Sequence, residues 1–244
     1  MNELSMSEAE KFLAWVNDAL SQLPVLKWEE LEREAGGADN VAVLCVDLTN
    51  AFAKFGNLAS PRVAALIEPI VRLFRLAHER GVRKFILPQD CHPPEAPEFE
   101  QYGQHAMCGT DESETVQELK DLPFADLFEV IPKTSINAGV NPGFAAWLER
   151  EDPPKVSIVT GDCTDLCVYQ LAMHIKVRAN ERLERCTVVV PRDCVDTYDV
   201  TVPRPGRRPP ARQEGIVPHP GELMHRLFLY HMMLNGIRVA QRIE

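Results

Sequence analysis

Several things are scarce in this chain, and each scarcity excludes a class of protein. No apolar run approaches the roughly 18 residues that a membrane-crossing helix needs, so no membrane partner is expected. The opening MNELSMSEAEKF lacks the basic-then-apolar order of a secretory leader. Basic residues are outnumbered, 26 against 36 acidic ones, and the net charge of −10 argues against a nucleic-acid partner. There is no internal repeat, no Gly-rich phosphate loop and no GxGxxG, so nucleotide binding finds no support. The seven cysteines are odd in number and scattered. That pattern predicts free thiols in a reducing compartment rather than a disulfide framework, hence a cytoplasmic protein.

What the chain does have is apolar content, 45%, distributed in alternating short and long blocks over 244 residues. Apolar residues at Phe12, Leu13, Val16, Leu20 and Leu23 have helical spacing, with Ser7 and Glu10 placed to frame the start. Residues 28–34 read as a second short helix. Together, residues 1–40 are expected to form a helical extension covering the sheet. VAVLCVD, 41–47, reads as a strand buried on both faces. Further strands are predicted at 84–88, 127–131, 156–160 and 186–191, with an edge strand at 237–240. Helices are expected at 61–80, 112–120, 143–150, from Leu166 or Cys167 to about 180, and 222–234, with Thr164 or Asp165 capping the one that opens at Cys167. Residues 203–220, rich in Pro and Arg, read as a surface excursion. The alternation predicts an α/β fold. It is a three-layer αβα arrangement with a mostly parallel sheet of about six strands, helices on both faces, and one domain over 41–244.

Three polar residues close three of these strands: Asp47, Lys133 and, one turn beyond its strand, Cys167. In a parallel sheet such ends converge on one crevice. Cys167 in the first turn of a helix sits at the positive end of the dipole, which favours a thiolate. A nearby carboxylate can take the thiol proton and return it to a leaving group. The lysine offsets the negative charge. A second cluster follows the 84–88 strand: Asp90, His92, Glu98 and His105, in a stretch long for an α/β connection. Carboxylate and imidazole donors suit zinc, manganese or iron(II).

VAVLCVDLTNAF, the Lys133 strand, GDCTDLCV and the QDCH…PEFEQYGQH…GT pattern together resemble the isochorismatase-like cysteine hydrolases, with the loop most similar to the nicotinamidase branch. The pieces GTDES, CTDLCV and PHPGELMH are similar to nicotinamidases of plants and some bacteria. The resemblance covers about 41–200. It implies that Cys167 attacks the carboxamide of nicotinamide, with Asp47 as base and then acid and Lys133 orienting the pair. It implies a cis peptide bond between Asp162 and Cys163, with the N–H groups of Cys163 and Cys167 facing the oxyanion. It implies a divalent metal, zinc before manganese or iron, held by Asp90, His92 and His105 with Glu98 direct or through water, and bound to the pyridine nitrogen. Phe52 and Tyr102 would flank the substrate. Cys163 stands where the family often has alanine. Two other readings share these residues: a metal-free cysteine amidase acting on a carbamoyl or ureido substrate, and a non-catalytic binding protein that kept the fold. The N-terminal helix and the Arg/Pro stretch are candidate contacts for a homo-oligomer.

Overall fold

β2 (Val41–Val46) is buried at every position, and its side chains alternate between two cores. Val41, Val43 and Cys45 point into one, Ala42, Leu44 and Val46 into the other. A strand with two apolar faces has to lie in the middle of a sandwich, and it does. In the computed structural model, which describes residues 5–150, 152–200 and 217–244, β2 lies between β3 (Lys84–Asp90) and β5 (Val156–Asp162). β4 (Phe128–Lys133) flanks β3. On the other side come β6 (Thr187–Pro191) and β8 (Arg238–Ala240), while the two-residue β7 (Val195–Asp196) pairs with the tip of β5. All pairings in this seven-stranded sheet are parallel among the described residues. The expected α/β class and helix-covered parallel sheet are therefore observed.

One face is covered by helices Trp28–Ala35 and Ile67–Glu79, the other by Met6–Ser21, Pro142–Leu148, Cys167–Glu181 and Gly221–Leu234. The Cys167–Glu181 helix buries Val168, Leu171, Ala172, Ile175 and Ala179, an i, i+3, i+4 stripe. Three local expectations change, the first being the helix expected over 112–120, which is a 3-10 turn at Asp111–Ser113 followed by the short helix Gln117–Lys120. The single helix predicted over 61–80 is broken into Pro61–Ala64 and Ile67–Glu79. Pro69 explains the break: its ring would clash with the carbonyl of Ala65 in a continuous helix. The first helix is capped by Ser5, whose Oγ accepts from Glu8 N–H, and not by Ser7. A small sheet was not foreseen: β1 (Val25–Leu26) runs parallel to β9 (Arg242–Ile243), tying the N-terminal segment to the C-terminal strand. The Arg/Pro-rich stretch expected at 203–212 lies outside the described residues.

The connections from β2 to β3 to β4 move towards one edge, and β5 then returns to the other side of β2. The order of strands reverses between β2 and β5. In open α/β sheets the carboxyl ends at such a reversal frame the ligand crevice. β2 ends at Asp47, and β5 leads into Cys167.

Candidate active site

At the tip of β2 the chain turns sharply. Asp47 has φ +57°, a left-handed conformation that Asp tolerates better than most residues. Its N–H donates to the Pro88 carbonyl (3.0 Å), and its Oδ1 accepts from Asp90 N–H (2.8 Å). Oδ2 is thereby aimed at Lys133 Nζ, 2.7 Å away. Lys133 Nζ is also 2.6 Å from Asp90 Oδ1 and 3.7 Å from Cys167 Sγ. The two strand tips approach so closely that a Cβ on Gly161 (φ +107°) would fall 1.9 Å from the Val46 carbonyl oxygen, so only glycine fits there.

The charge balance of this buried group sets its protonation. Burial, then repulsion from Asp90, pushes the Asp47 carboxyl up to about 6, against the pull of Lys133. Burial opposes the charge on Lys133, but the two carboxylates outweigh it and hold the ammonium well above its ordinary range. Burial likewise works against charge on Asp90, and Lys133 and both imidazoles overcome it and lower its pKa. Burial pushes the Cys167 thiol well above its usual value, with Lys133 only partly offsetting it. The expected thiolate is thus corrected: at 6% exposure, desolvation outweighs the helix terminus, and the resting sulfur is a thiol. Such a thiol needs a base, and ligand atoms of Asp47, Asp90 and Cys167 lie within 4.8 Å of one another. Asp162 is also fully buried, and burial with Asp47 nearby raises its carboxyl well above the usual range. The Asp162–Cys163 peptide bond is cis, as the resemblance implied.

Asp90 joins this group to the second cluster. Donor atoms of Asp90, His92, Glu98 and His105 all lie within 4.8 Å of one another. His92 Nε2 is 3.5 Å from both Asp90 Oδ1 and Glu98 Oε2, and His105 Nε2 is 3.7 Å from Asp90 Oδ2. A tetrahedral ion about 2.1 Å from each donor would set donors roughly 3.4 Å apart, so the spacing fits. The donors are also prepared for it. His105 Nδ1 faces the Gly103 carbonyl at 2.8 Å, which turns Nε2 inward as a lone pair for a metal. His92 Nε2 and Glu98 Oε2 are buried without a hydrogen-bond partner, while Glu98 Oε1 accepts from Ile136 N–H. Fully buried polar atoms left unpaired are costly unless something else satisfies them.

Between the two groups lies a cleft of about 370 Å³. Phe52, Tyr102 and His105 line it together with Asp47, Asp90, Glu98, Asp162, Cys163 and Cys167. Every catalytic, metal or substrate residue expected from the sequence except Lys133 and His92 borders this space, and those two contact Asp90 at 2.6 and 3.5 Å. Leu58, Ile136, Leu166 and Tyr198 also border it and were not foreseen. None of the four carries a sequence signal of its own. Another cleft, about 490 Å³, opens between Arg83 and Trp147 at the opposite end of the sheet. Its Lys84 and Arg150 are paired with Asp152 and Glu129, and it holds no nucleophile.

Two further expectations are overturned here. Cys91 and Cys108 form a disulfide, leaving five free cysteines. The residues beside them pair as a β-bridge, His92 with Met107, which brings the two thiols together across 17 positions. Neither Thr164 nor Asp165 caps the Cys167 helix, which has no side-chain cap. Both instead bond to histidines, Thr164 to His225 and Asp165 to His219.

A fold with a thiol, carboxylate and ammonium at converging strand tips defines a class, and this chain belongs to it: it is a member of the isochorismatase family, whose domain model matches residues 41–202. Among curated proteins it is 31% identical to Nicotinamidase 1 of Arabidopsis thaliana over 241 residues, 91% of this chain and 93% of that one. Solved structures share its fold. Nicotinamidase PncA of Bacillus subtilis superposes with a TM-score of 0.63 at 22% identity, covering 82% of this chain and 99% of that one. The pyrazinamidase of Pyrococcus horikoshii in complex with zinc gives 0.61 at 22%, covering 83% and 99%. N-carbamoylsarcosine amidase of Thermoplasma acidophilum gives 0.58 at 21%, covering 83% and 96%.

Proposed function

We propose that this protein is a nicotinamidase, hydrolysing nicotinamide to nicotinate and ammonia in NAD salvage. The observation that carries the reading is the sharing of Asp90 between the Lys133 pair and the His92–Glu98–His105 set. One cleft therefore holds a group able to attack an amide and, across from it, donors able to anchor a ring nitrogen.

In this reading Asp47 Oδ2 takes the proton from Cys167 Sγ as sulfur bonds to the carboxamide carbon. Lys133 keeps the accumulating negative charge stable and fixes Asp47. The N–H groups of Cys163 and Cys167 receive the oxyanion. Asp47 then returns its proton to the amide nitrogen, the C–N bond breaks and ammonia leaves a thioester. Water, losing a proton to Asp47, attacks that thioester. The C–S bond breaks as Asp47 passes that proton to the departing sulfur, restoring the thiol, and the new carboxylic acid releases its own proton to solvent as nicotinate. Asp90, His92, Glu98 and His105 would hold a divalent metal, zinc by their chemistry and spacing, which when bound ligates the pyridine nitrogen and orients the ring. Phe52 and Tyr102 flank that ring. His105 lies edge-on to Phe52 at 5.7 Å and to Tyr102 at 6.5 Å, tying both aromatics to the ligand set.

Residues 41–244 form the catalytic domain in this proposal, with 1–40 as its helical extension. The proposal keeps a cytoplasmic setting on the five free thiols, the Cys91–Cys108 bond notwithstanding, with no nucleic-acid or membrane partner. No helix among the described residues is long and apolar enough to cross a membrane. A homo-oligomer through the Met6–Ser21 helix is compatible with its exposed Phe12 and Trp15. The deciding assay is ammonia release from nicotinamide by the wild type and by Cys167→Ala. The proposal expects release from the first and none from the second. Hydrolysis of a carbamoyl amide but not nicotinamide, insensitive to chelator, would move the assignment to the metal-free amidases. No hydrolysis of either by folded protein supplied with zinc would favour a binding protein.

A further inference from the structure

The triad and the metal set leave a buried charged pair unexplained. Asp165, 4% exposed, sits two residues before the nucleophile and is neither base nor ligand. Its Oδ2 is 2.7 Å from His219 Nε2. His219 Nδ1 is 3.0 Å from the backbone carbonyl of Tyr198. Both ring nitrogens therefore face acceptors. A neutral imidazole has one N–H and could satisfy only one of them; the doubly protonated ring satisfies both. The Tyr198 ring lies flat on this imidazole, with centroids 4.0 Å apart and planes 14° from parallel, a cation–π contact. The backbone seals the arrangement. Val200 and His219 exchange hydrogen bonds (2.7 and 2.9 Å), and Thr164 N–H donates to the Asp196 carbonyl (2.9 Å). Thr164 Oγ1 is also 2.8 Å from His225 Nδ1. The turn that carries Cys167 is thus fastened to the segment that carries Tyr198, and Tyr198 borders the cleft beside Cys163 and Cys167.

We propose that Tyr198 is a third aromatic wall of the substrate pocket, closing it to amides bulkier than a planar ring carboxamide, and that the His219–Asp165 pair is the positioning device that holds it. The inference rests on the reading of the cleft as an aromatic-amide site. Tyr198 contacts substrate as a neutral phenol, since burial pushes its titration upward. His219 and Asp165 act through it. The charged and titratable groups facing His219 are Asp165 from the turn before the Cys167 helix, and Tyr198 and Asp199 from the segment after β7. Burial lowers the tendency of His219 to charge, and Asp165 outweighs it, so its pKa is raised. The clamp is therefore present at low pH and is lost as pH rises through that raised value.

The test compares Tyr198→Ala, Tyr198→Phe, His219→Ala and Asp165→Asn in the full-length protein. Tyr198→Ala should raise KM for nicotinamide about tenfold with kcat within about threefold, and Tyr198→Phe should recover most of that loss, because the ring carries the contact. His219→Ala and Asp165→Asn should raise KM in the same direction, and the upward drift of wild-type KM with rising pH should be absent in His219→Ala. A second arm needs no turnover: the rate of Cys167 labelling by N-phenylmaleimide relative to iodoacetamide, located by mass spectrometry, should rise about tenfold in Tyr198→Ala. If wild type releases no ammonia from nicotinamide, the reaction assignment fails, and the labelling ratio still decides on the wall. An unchanged labelling ratio in Tyr198→Ala would overturn the wall. Wild-type KM and labelling in both His219→Ala and Asp165→Asn would overturn the clamp.

Discussion

Asp47, Lys133 and Cys167 stand on strand tips and a helix start of the central sheet, whereas Glu98 and His105 stand on the 91–108 segment, which contains only the short helix Phe99–Tyr102. The first group has almost no freedom: its backbone is fixed by parallel pairing on both sides of β2, and its side chains are fixed by a buried ion pair network. The second depends on a β-bridge, a disulfide and the contact of Glu98 with Ile136. The contrast suggests a division of labour. Bond-making needs sub-ångström placement and is built into the sheet, while the donors that the proposed function assigns to the substrate ring are carried mainly by a connecting segment.

The contrast can be broken most forcefully at its rigid side. Lys133→Met should abolish ammonia release and destabilise the fold by about 3–5 kcal/mol, because it strands two buried carboxylates; urea denaturation followed by fluorescence measures this. Gly161→Ala comes next, at about 2–4 kcal/mol, since its Cβ would collide with the Val46 carbonyl. On the softer side, His92→Ala should lower metal content and raise KM for nicotinamide about 100-fold while changing Tm little; metal analysis and calorimetry separate those effects. Reducing Cys91–Cys108 should cost up to about 3 kcal/mol by the loop-entropy argument, read as a lower Tm in dithiothreitol. The gentlest probe is pH. Asp47 must be ionised to take the thiol proton, and its pKa is raised to about 6, so kcat/KM should fall as pH drops through about 6. A rate flat down to pH 5 would remove Asp47 from that role.

Much of the rigid side was legible in the sequence because it follows from periodicity. A strand buried on both faces has to be central, and a polar residue at its carboxyl end has to face the crevice; Asp47 is readable for that reason, whereas Lys133 closes the half-exposed edge strand β4 and is readable only as a charged residue at a strand end. The metal donors were readable as a cluster of residue types, though only coordinates show that they share Asp90 with Lys133. What stayed hidden depends on contacts between segments remote in sequence. The Cys91–Cys108 bond depends on a bridge between loop residues. Thr164 and Asp165 looked like caps because their types suit caps, and only the arrival of His225 and His219 shows where they bond. The state of Cys167 was misjudged because helix position is local, whereas the burial that outweighs it comes from the whole fold.

The central claim is that one cleft couples an amide-attacking thiol to a ring-anchoring metal set. Calorimetric titration of nicotinamide into Cys167→Ala protein, with zinc supplied and after chelation, tests it without turnover. The account predicts clear binding with metal and a loss of about 100-fold or more without it. Equal affinity in both states would show that the Asp90, His92, Glu98 and His105 set does not hold the substrate, and would contradict the account.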